Sequence, residues 1–168
     1  MSPIKAEPLR LVLDTNIVLD CFVFHDRGTA ELTGAIAAGR VQPIVHQDAL
    51  DEFMRVLAYP QFRLNAAEQR QVFDRYQTAA TLVAMPDGFS REALHLPAGF
   101  PRCRDRDDET FLALAFHSSA DGLVTKDRAL LKLRRKVRKF SIVIMGPKDV
   151  ALSLDALPMD SQRQSAKD

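Results

Sequence analysis

The sequence predicts a single α/β domain in which helices cover both faces of a mainly parallel sheet, a three-layer α/β/α architecture. Two observations carry this prediction. Short segments rich in Val, Ile and Leu alternate along the chain with longer segments that have the spacing of helices. The first short segment, Leu9–Leu13, is apolar at four of its five positions, which is typical of a strand buried on both faces in the middle of a parallel sheet.

Local signals define the other elements. Pro43 favours a less central position for the second strand, and Asn65 with Glu68 forms a capping-box pattern at the start of a helix. The predicted strands are residues 9–13, 41–46, 81–85, 122–125 and 141–145. The predicted helices are residues 17–24, 29–38, 47–57, 65–80, 107–118 and 128–133, and a closing helix that ends near Leu154.

A long irregular connection is predicted over residues 86–104, which contain three prolines and two glycines. Loops of this length are usually functional or mobile. No linker divides the chain, so residues 1–155 are predicted to form one domain. Residues 156–168 have the composition of a disordered tail.

The composition excludes several classes of protein. The 168 residues include 23 Lys and Arg against 22 Asp and Glu, so the net charge identifies no partner. Cys21 and Cys103 lie far apart and outside any CxxC or His-rich pattern, which argues against a disulfide framework and a zinc site and favours a reducing compartment. The sequence has no signal-peptide pattern and no apolar run of membrane-spanning length, so we expect a cytoplasmic protein without membrane contact.

Acidic residues follow two of the predicted strands. Asp14 comes directly after the first strand, at the carboxyl end where an open α/β sheet holds its ligands. Asp127 comes just after the strand at 122–125, and the hydroxyl of Thr125 beside it is placed to hold a ligand water. Each acid has a simpler alternative role as the N-cap of the helix that follows.

Glu52 lies on the helix predicted at 47–57, in a column with apolar residues three positions before and four positions after it. It therefore points inward more readily than Asp51. The alternative is an acid at the edge of the helix face that pairs with Arg55 or faces solvent.

The segment around Asp108 contains four acids at the start of a predicted helix. Apolar residues three, four and seven positions later turn Asp108 toward the buried face, and Asp105 lies three residues earlier on about the same side. Asp107 and Glu109 are interpreted as capping acids, which the helix dipole favours. Asp108 is therefore the candidate for chemistry, and Asp105 is an auxiliary.

Carboxylates that converge on one crevice repel one another, so they either take up protons or bind cations. Oxygen ligands without His or Cys select Mg²⁺ or Mn²⁺. Such ions lower the pKa of bound water and stabilise the attacking and leaving oxygens of a phosphodiester. The predicted metal ligands are Asp14, Glu52, Asp105, Asp108 and Asp127.

The chain resembles the PIN domain family, specifically its toxin branch in toxin–antitoxin systems. The resemblance covers about residues 9–154 and is carried by LVLDTN, the helical Glu52, Asp108 before FLALA, and LVTKD, in this order and spacing. It implies a Mg²⁺- or Mn²⁺-dependent ribonuclease that acts on single-stranded RNA. The implied acidic quartet is Asp14, Glu52, Asp108 and Asp127. The implied supporting positions are Asp105, Thr15, Asn16 and Thr125.

The resemblance also implies partners. In the toxin branch an antitoxin protein is expected, with the loop at 86–104 or the early helices as its binding surface, and the family suggests a homodimer. Lys126 departs from the family pattern, which has small or varied residues at this position.

Residues 126–139 read KDRALLKLRRKVRK, with eight basic residues and one acid. A basic stripe near an acidic metal site is suited to hold a phosphate backbone. A solvated helix face is the alternative, because the leucines within the stripe indicate a structural role. The candidate RNA-backbone residues are Lys126, Arg128, Arg134, Arg135, Lys136 and Arg138.

Two other functions fit part of the pattern. Haloacid-dehalogenase-type phosphatases also begin with an Asp after the first strand. They need a second Asp two residues later, where this chain has Asn16, and a Lys before the late acidic pair, whereas Lys126 follows Asp108. The other alternative is a non-catalytic PIN-like RNA-binding or interaction module, which metal-dependent cleavage would distinguish from a nuclease.

Overall fold

A computed structural model describes residues 7–155 of the chain. In this part, five strands form one all-parallel sheet in the order β3-β2-β1-β4-β5. The strands are β1 (Leu9–Leu13), β2 (Val41–Val45), β3 (Thr81–Leu82), β4 (Gly122–Val124) and β5 (Ile144–Met145). The predicted α/β fold with a parallel sheet is confirmed, and β1 is its central strand.

Helices cover both faces of the sheet. They are α1 (Thr15–Leu19), α2 (Ala30–Ala37), α3 (Gln47–Leu57), α4 (Ala66–Ala79), α5 (Arg106–His117), α6 (Arg128–Lys132), α7 (Arg134–Val137) and α8 (Val150–Asp155). A π turn at Asp20–Phe24 continues α1. None of the helices in the described residues is long and apolar enough to cross a membrane.

The central strand divides the core into two layers. Leu11 and Leu13 pack on one face with residues of α1 to α4, whereas Val12 packs on the other face with residues of α5 to α7. Successive side chains of a strand point to opposite faces, so a strand between two helix layers must be apolar on both. This explains the absence of alternation in β1.

Several boundaries differ from those predicted. The first helix begins at Thr15 instead of residue 17, because Asp14 caps it. The last strand is confined to Ile144–Met145, since Ser141 ends a 3₁₀ turn with a φ of 61° and lies outside the sheet. The predicted strand at 81–85 is reduced to two residues, and α7 was not predicted at all.

The capping box of Asn65 and Glu68 is confirmed at the start of α4. Residues 86–104 contain no helix or strand, as predicted. Contacts with the rest of the domain nevertheless anchor this loop, because the ring of His117 bonds the Leu94 carbonyl at 2.8 Å and Phe100 is buried. The predicted tail at 156–168 lies outside the described residues.

Candidate active site

The register of β1 and β4 brings two of the predicted site residues together. Leu13 pairs with Val124, so the residues that follow them, Asp14 and Thr125, leave the sheet side by side at its carboxyl edge. The Thr125 hydroxyl donates a hydrogen bond to Asp14 Oδ2, and both side chains are buried. Parallel pairing therefore determines this contact.

Asp14 is also the N-cap of α1, because its Oδ1 accepts a hydrogen bond from the Ile17 N–H at 2.9 Å. Burial raises the pKa of Asp14, and the bonds from Thr125 and Ile17 act in the opposite direction. Each carboxylate oxygen has two lone pairs, so each keeps one for a cation. The capping and metal-ligand interpretations of Asp14 are thus compatible.

Thr125 links Asp14 to Asp127. Its hydroxyl oxygen accepts the Asp127 N–H at 2.9 Å, so the hydroxyl is engaged by the protein itself. One lone pair of the hydroxyl oxygen remains, and a role of Thr125 in holding a ligand water stays a prediction. Asp127 caps α6, with its Oδ1 accepting the N–H groups of Ala129 and Leu130 at 2.7 and 3.1 Å.

The first turn of α5 differs from its prediction. Its N-cap is Asp105, which accepts the Asp107 N–H at 2.9 Å. The prediction that Asp107 and Glu109 cap this helix is wrong, since Asp107 forms an ion pair with Arg91 and Glu109 is only 3% exposed. A run of acids satisfies the capping pattern at several positions, so the sequence does not identify which one caps.

Asp108 is half-buried beside the Cys103 thiol, which donates to Oδ2 at 3.9 Å. Burial and the charges of neighbouring acids raise the pKa of Asp108 to about 6. The acids with the largest effects are Asp127, Asp105, Asp14 and Asp107. The predicted carboxylates from β1, β4 and α5 therefore share one electrostatic environment.

Glu52 does not join this group as closely. It is half-buried on α3 whereas Asp51 is exposed, which is the orientation predicted from the helical column. Glu52 lines a neighbouring cleft of about 300 Å³ together with Arg91 and Asp107. It is not among the charges with the largest effects on the pKa values of the carboxylates above.

Thr15 and Asn16 lie in the first turn of α1, where Thr15 is half-buried and Asn16 is exposed. Neither side chain makes a hydrogen bond within residues 7–155. Their supporting role stays a prediction.

Lys126 pairs with a carboxylate that the sequence analysis did not single out. Its Nζ forms an ion pair with Asp20 Oδ2, and the Asp20 side chain is 14% exposed at the start of the π turn. The available signal was a lone acid inside the apolar segment IVLDCFVF, because a buried acid needs a partner. The other basic candidates are exposed and form no ion pair within the described chain: Arg128, Arg134, Arg135, Lys136 and Arg138.

A divalent cation fits the chemistry of this donor set. The carboxylates offer hard oxygen ligands, and a cation would relieve the repulsion that contributes to the raised pKa of Asp108. Among the residues described, however, no three His, Cys, Asp or Glu side chains form a ready-made metal cage.

The comparisons with known proteins concern the same part of the chain. None of the curated proteins compared with the sequence matches it. The family model described as the PIN domain matches residues 10–129, a segment that includes both Asp14 and Asp127. PIN domains are generally metal-dependent nucleases. Because the match covers more than half of the sequence, the chain belongs to the PIN domain family.

Proposed function

We propose that the protein is a metal-dependent endoribonuclease that cleaves single-stranded RNA. The observation that carries the proposal is the convergence of Asp14, Asp108 and Asp127, whose mutual repulsion contributes to the pKa of about 6 at Asp108. A folded protein that places acids in this way offers a site for a cation. Membership of a family of nucleases supports the same reaction.

The proposed ligands of Mg²⁺ or Mn²⁺ are Asp14, Glu52, Asp105, Asp108 and Asp127. When bound, the ion lowers the pKa of a water and stabilises negative charge on the phosphodiester oxygens. Thr125 orients Asp14 through its hydroxyl, and the same hydroxyl fixes the backbone at Asp127. The capping bonds orient three of these carboxylates before any ligand arrives.

We further propose that the enzyme is the toxin of a toxin–antitoxin pair, that it acts in the cytoplasm, and that it forms a homodimer. The support is the resemblance of its LVLDTN and LVTKD segments to that branch of the family. Expression of the wild type should arrest cell growth, whereas expression of Asp14→Asn should not. Growth arrest by both proteins would contradict the toxin role.

The non-catalytic alternative is favoured by one observation, the lack of a ready-made cage of three donors among residues 7–155. A haloacid-dehalogenase-type phosphatase has weaker support, because the required second Asp is replaced by Asn16, which is exposed on α1, and the family match is to the PIN domain.

Cleavage of an unstructured RNA by purified protein tests the proposal. Cleavage should require Mg²⁺ or Mn²⁺ and stop with EDTA. Asp14→Asn and Asp108→Asn should each lower kcat/KM by about 100-fold or more, because each removes a charged ligand.

Asp74→Asn is the control, since Asp74 is exposed on α4. Unchanged turnover in either site variant would refute the assignment. RNA binding without cleavage under any metal condition would support the non-catalytic module.

A further inference from the structure

A groove of about 360 Å³ lies between the long loop and α7. Its cationic lining residues are Arg102, Arg135, Lys136 and Lys139. The other lining residues are Gly99, Pro101 and Leu133. Among the residues that the structure describes, no acid lines this basic groove.

Aromatic contacts hold the two walls of the basic groove together. Phe100 of the loop wall is buried, and its ring centre lies 4.7 Å from that of Phe140, which follows α7. Phe116 of α5 packs against both rings, at 5.8 and 6.5 Å. Lys139 Nζ lies 5.1 Å from the centre of the Phe140 ring, a cation–π contact. The groove is therefore supported by packed side chains beneath it.

Arg102 is held in place before any ligand arrives. Its Nε and Nη2 donate to the two carboxylate oxygens of buried Glu109 at 2.8 and 3.3 Å, yet its side chain is 75% exposed. A guanidinium has five N–H donors, so three stay available for an anionic oxygen. The two hydrogen bonds to Glu109 already restrict the Arg102 side chain, so less conformational entropy is lost when it binds an anion.

Both walls of the groove are formed by segments that also contribute residues to the proposed active site. On the loop wall, Arg102 is followed by Cys103, whose thiol donates to Asp108. On the opposite wall, α6 begins after its cap Asp127 and is followed closely by α7. The acids of the site repel phosphates, so affinity for a polyanion must come from cations beside them.

We propose that the basic groove binds phosphates of the single-stranded RNA on one side of the bond to be cleaved. The inference rests on the proposed ribonuclease function and refines it. Within the basic segment, Arg135, Lys136 and Lys139 line the groove. Three other predicted RNA-backbone residues, Arg128, Arg134 and Arg138, do not line it, so the proposal does not assign them to RNA binding. Phosphates carry no sequence information, so the groove supplies affinity without base preference.

Two triple variants test this assignment, each removing three positive charges from the same segment. The groove variant is Arg135→Ala, Lys136→Ala and Lys139→Ala. The control variant is Arg128→Ala, Arg134→Ala and Arg138→Ala. Because the two variants have the same net charge, a difference in their RNA binding reports where the removed charges lie and not the overall charge of the protein.

Affinity for oligouridine should be measured by fluorescence anisotropy over a range of salt concentrations. The measurements are made in EDTA and, in an Asp14→Asn background, with Mg²⁺. Each lost phosphate contact lowers the log-log salt slope by about 0.7, so the groove variant should lose about 2 units of slope. Between about 50 and 200 mM salt, wild-type affinity should fall roughly 20-fold more than that of the groove variant. The control variant should keep a slope close to that of the wild type.

Equal slopes for the two variants would overturn the groove assignment while leaving the ribonuclease proposal intact, provided that the wild type still cuts RNA. A wild type that neither binds nor cuts RNA would overturn both. Unchanged RNA affinity with lost affinity for polyglutamate in the groove variant would mean that the groove serves an acidic protein, which also refutes the RNA assignment.

Discussion

Asp14 and Asp108 are residues of the same type on two sides of one site, and the protein holds them differently. Asp14 is 6% exposed, and each of its oxygens accepts a hydrogen bond from Ile17 or Thr125. Asp108 is half-buried, and its side-chain donor within the described chain is a thiol at 3.9 Å.

The difference shows that hydrogen bonds hold the carboxylate on the strand side of the site, whereas the carboxylate on the helix side is subject to burial and to repulsion by neighbouring acids. Burial disfavours both ionised carboxylates, but at Asp14 two hydrogen bonds offset part of that cost. At Asp108 the neighbouring acids add to it. Loss of the hydroxyl of Thr125 should therefore act mainly on folding, and loss of the Asp108 charge mainly on electrostatics.

Glu52 tests whether α3 provides a third side of the site, and its substitution should affect catalysis as strongly as substitution of Asp14 or Asp108. Glu52→Gln should lower kcat/KM for RNA by about 100-fold, or about 2.7 kcal/mol, because it removes a proposed ligand charge. Asp51→Asn on the exposed face of the same helix should have little effect. The reverse order in cleavage assays would show that the wrong residue has been assigned.

Thr125→Val removes the hydrogen bonds of the hydroxyl group on the strand side of the site. The substitution keeps the shape of the side chain but leaves Asp14 Oδ2 and the Asp127 N–H without their hydroxyl partner. We expect the free energy of unfolding, measured by urea denaturation in EDTA, to fall by about 2 kcal/mol. Thr125→Ser is the matched variant, because it keeps the hydroxyl. If the Val variant is as stable as the Ser variant, the hydrogen bonds do not stabilise this side.

Asp108→Asn tests the helix side, and its effect on the free energy of unfolding should be smaller than that of Thr125→Val. The pKa of Asp108 rises to about 6 on folding, so the folded wild type binds the proton more tightly than the unfolded chain and loses stability as pH increases through this range. In EDTA, the Asn variant should equal the wild type near about pH 4 and exceed it by about 1 kcal/mol at neutral pH, after allowance for solvent screening of a half-buried group.

Excess Mg²⁺ should reverse that order at neutral pH, since an ion bound to the native state stabilises only the protein that retains its ligand. Thermal unfolding with and without Mg²⁺ measures both effects. A gain in stability that does not depend on pH would refute the electrostatic explanation.

The sequence predicts the features whose causes are local. The largely apolar strand β1, the helix at Gln47–Leu57 and the capping box at Asn65 all depend on neighbouring residues, and all are found where predicted. The predicted last strand, residues 141–145, is longer than the observed Ile144–Met145. The reason is that pairing with the neighbouring strand, and not apolar character alone, determines where a strand begins and ends.

Contacts between residues that lie far apart in the sequence could not be predicted from local patterns. The hydrogen bond between Asp14 and Thr125 exists because β1 and β4 are neighbours in the sheet. The local sequence patterns of the strands do not reveal that they are neighbours. The ion pair between Asp20 and Lys126 likewise joins residues that lie far apart in the sequence. The half-buried positions of Glu52 and Asp108 could be predicted from helical spacing, but the hydrogen bonds that hold Asp14 and Asp127 could not.

The capping roles of the site carboxylates make loss of catalysis compatible with an intact fold. Asn caps a helix about as well as Asp, so an Asp-to-Asn replacement at 14, 105 or 127 preserves the start of its helix while removing a ligand charge. A protein with such a replacement would keep the basic groove and its proposed contacts with RNA phosphates. Under the proposed function, a single substitution of this kind converts the nuclease into a stable protein that binds RNA without cutting it.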